Sequence, residues 1–424
     1  MRHLLSAILL LCPFGYALPL AAWAQTFPLP PLTEAQAIHR GLARDALADL
    51  ERGAIDAAQA DILAAGLAPN PILGYGRERI PGTPNGVEET WQISQAFDLS
   101  GRRGLRLDAA GRIKEAAASG NLARRVEIAA EIRRRFHELL LKQEIVRASE
   151  LWLQRFIRIE ATVDKLARGG EASGYDRRRL ARERQTTEAR LSTELAELER
   201  GRERLAALLG NTRAFVENSS AWNNSAGNVA GSLLPEALPL PEAALAGLEL
   251  RPDLQALARR AEAADLEGRA AARGWVPEVT LGIGVKQSDN GSARENGALL
   301  AVSIPLPLFD RQQAREKRAT AEALAVRAEY RLVRARAEGE LRGLYAQGER
   351  LRKAALEFRA ATVNAAPDLL RIAEAAYRGG ESSLLELLDA YRGALEAETT
   401  ALLLEWKARE TRIEYDQLTG RISE

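Results

Sequence analysis

Two stretches that share four consecutive residues decide the fold: "ARGGEASGYDRRRLAR" at 167–182 and "YRGGESSLLELLDAYR" at 377–392. The two Arg-Gly-Gly-Glu copies begin 210 positions apart, about half the length of the 424-residue chain. A Gly pair is typical of a helix C-terminus, and a following Ser can cap the next helix. Ser173, with Asp176 three positions later, and Ser382 are the candidate N-caps. Each copy therefore predicts a tight corner between two antiparallel helices.

Long helical stretches lead into both corners. Residues 103–168 and 311–377 are rich in Ala, Leu, Arg and Glu, which favour helices. At 1.5 Å per residue, each stretch would form a rod of about 100 Å. Pro367 interrupts the second stretch, and it predicts either a kink or a restart of the helix after a break.

A pair of alternating segments precedes each long helix, at 70–99 and at 277–308. Strands of about ten residues with one apolar face are typical of a lipid-facing barrel. A half-buried soluble sheet is the alternative, but the chain offers no second sheet on which these strands could pack. The residues predicted to face lipid are Trp91, Ile93, Phe97, Val279, Leu281, Ile283, Leu300 and Val302.

Four strands are too few for a barrel, because the smallest common membrane barrel has about eight and an open edge is not tolerated in lipid. Several chains must then share one barrel, and three copies of four strands would give twelve. The predicted fold class is mainly α with a small β part, in which duplicated long-helix hairpins accompany strands that contribute to a shared barrel.

The repeat divides the chain into two similar units. A basic start, an apolar stretch and Ala22-Trp23-Ala24 predict a secretory signal peptide. A membrane helix and a lipoprotein signal ending at Cys12 are the alternatives for this segment. The expected order is signal peptide 1–24, first repeat 25–209 with its helix hairpin at 103–209, linker 210–241, and second repeat 242–424 with its helix hairpin at 311–420.

The composition argues against an enzyme and against a nucleic-acid partner. The chain has one Cys, one Met and three His, so thiolate chemistry, disulfides and soft-metal sites have almost no residues to use. Its formal net charge of +1 provides no basic excess for nucleic acid. Motifs for a catalytic triad, a phosphate loop or a paired zinc site are not present in the sequence. We therefore expect no cofactor, no bound metal and no catalytic residues.

Five motifs resemble the TolC-type outer-membrane efflux proteins along nearly the whole chain after residue 24. They are "NPILGYGRE" at 70–78, "QAFDLSGRRGLR" at 95–106, "RPDL" at 251–254, "SIPLPLFDRQQAR" at 303–315 and "YRGGESSLLELLDA" at 377–390. The two strand-to-helix joins are most similar to the heavy-metal branch, the CzcC-like channels of resistance-nodulation-division (RND) pumps.

This resemblance implies a homotrimer in the cell outer membrane, with a 12-stranded β-barrel in the lipid and a long helical barrel in the periplasm. The corners would contact a periplasmic adaptor, and through it an inner-membrane RND transporter. The tip residues so implied are Gly169, Gly170, Ser173, Asp176, Gly379, Gly380 and Ser382. Glu386 and Asp389 match the family's D-x-x-D-A pattern and would line the periplasmic gate.

The function expected from this reading is an exit duct that exports heavy-metal cations. An outer-membrane channel of a multidrug pump or of a type I secretion system is the first alternative. A periplasmic coiled-coil scaffold is the second, although a scaffold would not need four amphipathic strands.

Overall fold

A computed structural model describes residues 31–79, 86–170, 173–210, 228–289 and 293–422. The expected signal peptide and residues 211–227 of the expected linker lie outside these ranges. In the first half the elements are β1 (Leu32–Thr33), α1 (Glu34–Leu42), α2 (Asp45–Gly66), β2 (Ile72–Arg79), β3 (Val87–Phe97), α3 (Arg102–Arg168) and α4 (Gly174–Leu209). In the second half they are β4 (Val229–Ala230), α5 (Pro241–Ala246), α6 (Pro252–Ala272), β5 (Val279–Asp289), β6 (Arg294–Ser303), α7 (Gln313–Phe358), α8 (Ala366–Arg378) and α9 (Leu384–Leu418).

The same order of elements occurs twice. Helix α2, hairpin β2–β3, long helix α3 and return helix α4 correspond to α6, β5–β6, the α7–α8 rod and α9. The expected fold class, mainly helical with few strands, is confirmed. None of the helices in the described ranges is both long enough and apolar enough to cross a membrane.

The two β-hairpins form one antiparallel sheet in the order β2-β3-β5-β6, so the halves are joined through β3 and β5. Ile283 lies opposite Ile93 on one side and Leu300 on the other. This register places most of the apolar residues of the four strands on one face, with Ile72 and Leu299 on the other. The opposite face is lined by small and polar residues, among them Gly76, Gly284 and Gln92.

Both strand-to-helix joins are anchored by an Asp that accepts the N–H of the residue two positions later. The Asp98 carboxylate accepts a hydrogen bond from the Ser100 N–H at 3.0 Å, and the Asp310 carboxylate accepts one from the Gln312 N–H at 2.8 Å. The residue before each long helix is left-handed, with φ of 68° at Gly101 and 62° at Gln312. An Asp side chain, three residues before Gly101 and two before Gln312, thus stabilises each join.

The break near Pro367 is a restart rather than a kink. Helix α7 ends at Phe358, a π-helical turn spans Arg359–Val363, and α8 begins at Ala366. Pro367 lies in the first turn of α8, where its missing N–H costs no helical hydrogen bond. The Arg359 guanidinium in the π turn pairs with Glu398 and Glu405 of α9, which fixes the break against the return helix.

A buried polar cluster ties the chain's first helix to both long hairpins. The Glu34 carboxylate pairs with Arg133 Nε at 2.5 Å and with His137 Nε2 at 2.8 Å, while Arg133 also reaches Asp416 of α9 at 3.2 Å. Burial raises the pKa of Glu34, but the hydrogen bond from His137 and the charge of Arg133 outweigh it and lower that pKa to about 2. Burial lowers the pKa of His137, so a neutral imidazole donates through Nε2.

Two glycines on the same face of the sheet allow a matched test of its packing. A Cβ added to Gly284 would lie 2.2 Å from the Trp91 carbonyl oxygen, whereas one added to Gly76 would meet nothing within 4 Å. Gly284→Ala should therefore cost roughly 1–3 kcal/mol, in the range of overpacked sites. Gly76→Ala should change stability by less than about 0.5 kcal/mol. Thermal unfolding in detergent measures both, and equal effects of the two substitutions would contradict the close packing of β3 on β5.

Candidate functional site

The first corner, between α3 and α4, closes through its two glycines and a reciprocal cap. Gly169 has a helical φ of −77°, and Gly170 is left-handed at φ 80°. Ser173 Oγ accepts a hydrogen bond from the Asp176 N–H at 3.0 Å, and the Asp176 carboxylate accepts one from the Ser173 N–H at 3.3 Å. This capping box holds the start of α4 beside the end of α3.

The second corner repeats this geometry, but its cap differs from the expected one. Ser383 is the N-cap of α9, with its Oγ 3.4 Å from the Glu386 nitrogen, so the expectation for Ser382 is wrong. Ser382 instead donates its backbone N–H to the Ala376 carbonyl, which belongs to the closing turn of α8. The sequence held the clue, because Ser383 and Ser173 both stand two residues after the Glu of Arg-Gly-Gly-Glu.

Glu386 therefore has a structural role that the sequence motif did not indicate. Its carboxylate accepts a hydrogen bond from the Ser383 N–H at 2.9 Å and completes the capping box. Asp389, one turn later, is exposed like Glu386. Because residues three apart share a helix face, α9 presents both carboxylates on one side of its first two turns.

An aromatic cluster locks the two hairpins together behind the corners. The buried Tyr391 ring of α9 lies 5.6 Å, centroid to centroid, from both Trp152 and Phe156 of α3. Its hydroxyl donates a hydrogen bond to Glu374 of α8. Burial, and to a smaller extent the hydrogen bond to Glu374, raises the pKa of Tyr391, so the phenol stays protonated. Three helices thus meet at one side chain.

The return helices are also linked directly, which puts both corners at the same end of the molecule. Arg392 of α9 pairs with Glu183 of α4, with Nε 2.8 Å from Oε1. Leu180 of α4 is fully buried in the same apolar cluster as Leu387 and Leu388 of α9. Sequence patterns missed these contacts because the partners are about half a chain apart.

A cleft of about 490 Å³ lies between α3 and α8 near this end. Its charged lining is mainly basic, with Arg155, Arg158, Arg371 and Arg378 around Glu374. The Arg155 guanidinium lies 4.6 Å from the centroid of the Trp152 ring, a cation–π contact. The cleft therefore presents mainly guanidinium groups, which are suited to ionic contacts.

The sheet exposes the apolar face predicted from the strand alternation. Trp91 is 48% exposed, Ile283 66% and Leu300 76%. Ile93, Phe97, Leu281 and Val302 are also exposed on this face, while Val279 is half-buried. A contiguous apolar surface of this kind marks a site of contact with lipid or with another protein. In the described ranges, no group of three or more His, Cys, Asp or Glu is placed to hold a metal ion.

Known proteins with similar sequences are outer-membrane efflux and metal-resistance proteins. Residues 245–421 match the model of the family described as outer membrane efflux protein. The cobalt-zinc-cadmium resistance protein CzcC of Cupriavidus metallidurans is 27% identical over 373 residues, which cover 87% of this chain and 85% of that protein. This chain is thus similar to outer membrane efflux proteins in its second half by family model and along most of its length by one relative. The nickel-cobalt-cadmium resistance protein NccC of Alcaligenes xylosoxydans is 24% identical over 69% of this chain and 65% of that protein.

Solved structures share the fold. The outer-membrane channel OprN superposes with a TM-score of 0.75 at 22% identity, over 91% of this chain and 89% of its own. The outer membrane protein VceC of Vibrio cholerae gives a TM-score of 0.73 at 19% identity, over 92% of this chain and 96% of its own. The fold of this chain is therefore the fold of these outer-membrane proteins.

The corners yield a test that separates their two glycines. Gly380 is left-handed at φ 73°, a conformation that costs a residue with a side chain about 1–2 kcal/mol, whereas Gly379 is helical. Gly380→Val should therefore loosen the corner and accelerate tryptic cleavage after Arg378, while Gly379→Ala should leave the digestion rate unchanged. Equal rates for both variants would show that backbone conformation does not restrict this position.

Proposed function

We propose that this chain is the outer-membrane exit duct of a tripartite RND-type efflux system that exports heavy-metal cations. The observation that carries the proposal is the four-stranded sheet, which exposes an apolar face and has free outer edges at β2 and β6. Backbone groups at such edges must be paired before the sheet can enter lipid. Copies of the same chain can supply that pairing.

A homotrimer satisfies this requirement most simply. Along the sheet, the strands alternate in direction, so β6 of one protomer can pair in antiparallel fashion with β2 of the next. Three protomers would then close a barrel of twelve strands, an even number within the range of outer-membrane barrels. The apolar face would contact lipid, and the face with Gly76, Gly284 and Gln92 would line the pore.

The helices would extend the duct into the periplasm. Helix α3 has 67 residues, which corresponds to about 100 Å. Because both corners lie at one end, three protomers would place six corners in a ring at the inner mouth. We propose that this ring, with Gly169, Gly170, Ser173, Asp176, Gly379 and Gly380 at its tips, contacts a periplasmic adaptor that connects the duct to an inner-membrane transporter.

The relatives favour metal cations as the exported solute. Both curated relatives carry metal resistance in their names, with cobalt and cadmium common to the two. Selection of the metal would belong to the transporter, since the described residues of this chain contain no metal-binding cluster. Deletion of the gene in its host should lower tolerance to cobalt, zinc or cadmium, and expression of the intact chain should restore it. Unchanged metal tolerance with impaired drug tolerance or protein secretion would instead support the alternative channels.

Glu386 and Asp389 would line the periplasmic constriction of this duct. Three copies of α9 would bring six carboxylates to the pore, a ring that attracts cations and repels anions. The capping role of Glu386 does not remove its charge, since a carboxylate can accept the Ser383 N–H while it remains ionised.

Placement of the apolar face in lipid can be tested at the centre of the sheet. Ile283 lies between Ile93 and Leu300, and Ile283→Arg should cost roughly 2–4 kcal/mol if it sits at the bilayer midplane. Thr90→Arg places the same side chain on the opposite face, where water would fill the pore. The yield of trimer in the outer-membrane fraction should fall for the first variant only. Equal yields for both variants would contradict a lipid-facing role.

The gate can be tested without breaking the helix cap. Gln can replace Glu in a capping box, so Glu386→Gln with Asp389→Asn removes charge while the start of α9 is retained. This double variant should weaken cation selectivity in planar bilayers at unchanged trimer yield. Ser383→Ala serves as the control that disturbs the cap but keeps both charges. Selectivity equal to that of the unmodified channel in the double variant would place the constriction elsewhere.

A further inference from the structure

The two strand-to-helix joins surround a second cleft, of about 450 Å³, directly below the sheet. Arg102 and Arg106 of α3 and Arg315 of α7 line it, together with Trp275 and Leu306. Basic and apolar side chains therefore meet in one cleft at the boundary between the apolar face and the helices.

Within the described ranges, the three arginines differ in their carboxylate partners. Arg102 is neutralised by Asp98 and by Glu278. Asp310, the other acid in the cleft, accepts hydrogen bonds from the backbone and side chain of Gln312. In the part of the chain that the structure describes, no ion pair is formed by Arg106 or Arg315. Over its whole lining, the cleft has three arginines and two carboxylates, Glu278 and Asp310, which leaves an excess of one positive charge.

The surroundings of the cleft are apolar and open. Trp275 is 60% exposed, Leu306 72% and Phe309 92%. Exposed aromatic and aliphatic groups beside arginine are unfavourable in water but are typical of the headgroup layer of a membrane, where one side of each residue meets lipid. Along β5 and β6, the chain continues from this cleft to the apolar face at Leu281 and Val302.

We infer that this cleft binds the phosphate of an anionic phospholipid from the periplasmic leaflet, with the acyl chains lying against the apolar face of the sheet. The inference rests on the proposed function, which places that face in the membrane. Arginine suits the role because its planar guanidinium can bind phosphate through two parallel hydrogen bonds. A phospholipid would pair its phosphate with the arginines and cover Trp275 and Leu306 with its acyl chains. A free phosphate ion would leave Trp275 and Leu306 in water.

The test uses the full chain purified in detergent and titrated with dioleoylphosphatidylglycerol, with retained lipid counted by native mass spectrometry. Each basic residue near an anionic membrane surface contributes about fivefold to binding, so Arg106→Gln with Arg315→Gln should reduce affinity roughly thirtyfold. Arg106→Lys with Arg315→Lys should retain most of the binding. Arg336→Gln with Arg342→Gln removes two charges further along α7 and should have no effect.

Two control ligands distinguish the possible occupants of the cleft. Inorganic phosphate tests for a free anion, and dioleoylphosphatidylcholine tests for a lipid without net charge. Phosphatidylglycerol should raise the unfolding temperature of the unmodified protein, while neither inorganic phosphate nor phosphatidylcholine should do so. Equal stabilisation by inorganic phosphate would indicate that the cleft binds a free anion rather than a lipid, and it would overturn the inference. Undiminished phosphatidylglycerol binding by the double Gln variant would also overturn it, even if that variant still forms an outer-membrane trimer. Failure of the unmodified chain to reach the outer membrane would refute the proposed function itself.

Discussion

The hydrogen-bonding groups at the outer edges of β2 and β6 are the constraint on which the rest of the architecture depends. A sheet that exposes Trp91, Ile283 and Leu300 on one face cannot leave its edges open in lipid, because each unpaired backbone group there costs several kcal/mol. In water, the open edges of an apolar sheet would pair with other chains and cause aggregation. A shared barrel removes both problems, because every edge then has a partner.

The other features position this sheet and extend it. Duplication supplies two hairpins that join through β3 and β5, so a single chain forms an unbroken third of the proposed barrel. The two Asp-anchored joins direct both strand pairs into long helices. At the far end, Tyr391 and the Arg392–Glu183 pair bind the two helix hairpins to each other. The corners of one protomer are therefore held as a unit that could meet a partner.

Periodic and local features could be predicted from the sequence, and contacts between distant residues could not. The two corners, the long helices and the exposed apolar alternation all follow from spacing and residue type, which act over a few positions. Contacts such as that between Glu34 and His137, 103 residues apart, depend on packing that no local pattern encodes. The N-cap was misplaced by one residue because both Ser382 and Ser383 are chemically able to cap. The spacing shared with Ser173 distinguishes Ser383 from Ser382, and with Ser383 as the N-cap Glu386 becomes part of the capping box.

Disulfide crosslinking between neighbouring protomers tests the closure of the sheet edges most directly. Cys12 is the only native cysteine, so its replacement by Ser gives a cysteine-free protein that cannot form disulfides. One cysteine would replace Tyr75 in β2, and a second would be moved along the same face of β6 through Asn296, Ala298, Leu300 and Val302. The account predicts covalent dimers and trimers at one or two adjacent β6 positions in outer-membrane vesicles, since bridging needs Cα atoms about 4.4–6.8 Å apart. Monomers at every position, in protein that still confers metal tolerance, would contradict a barrel shared among copies of this chain.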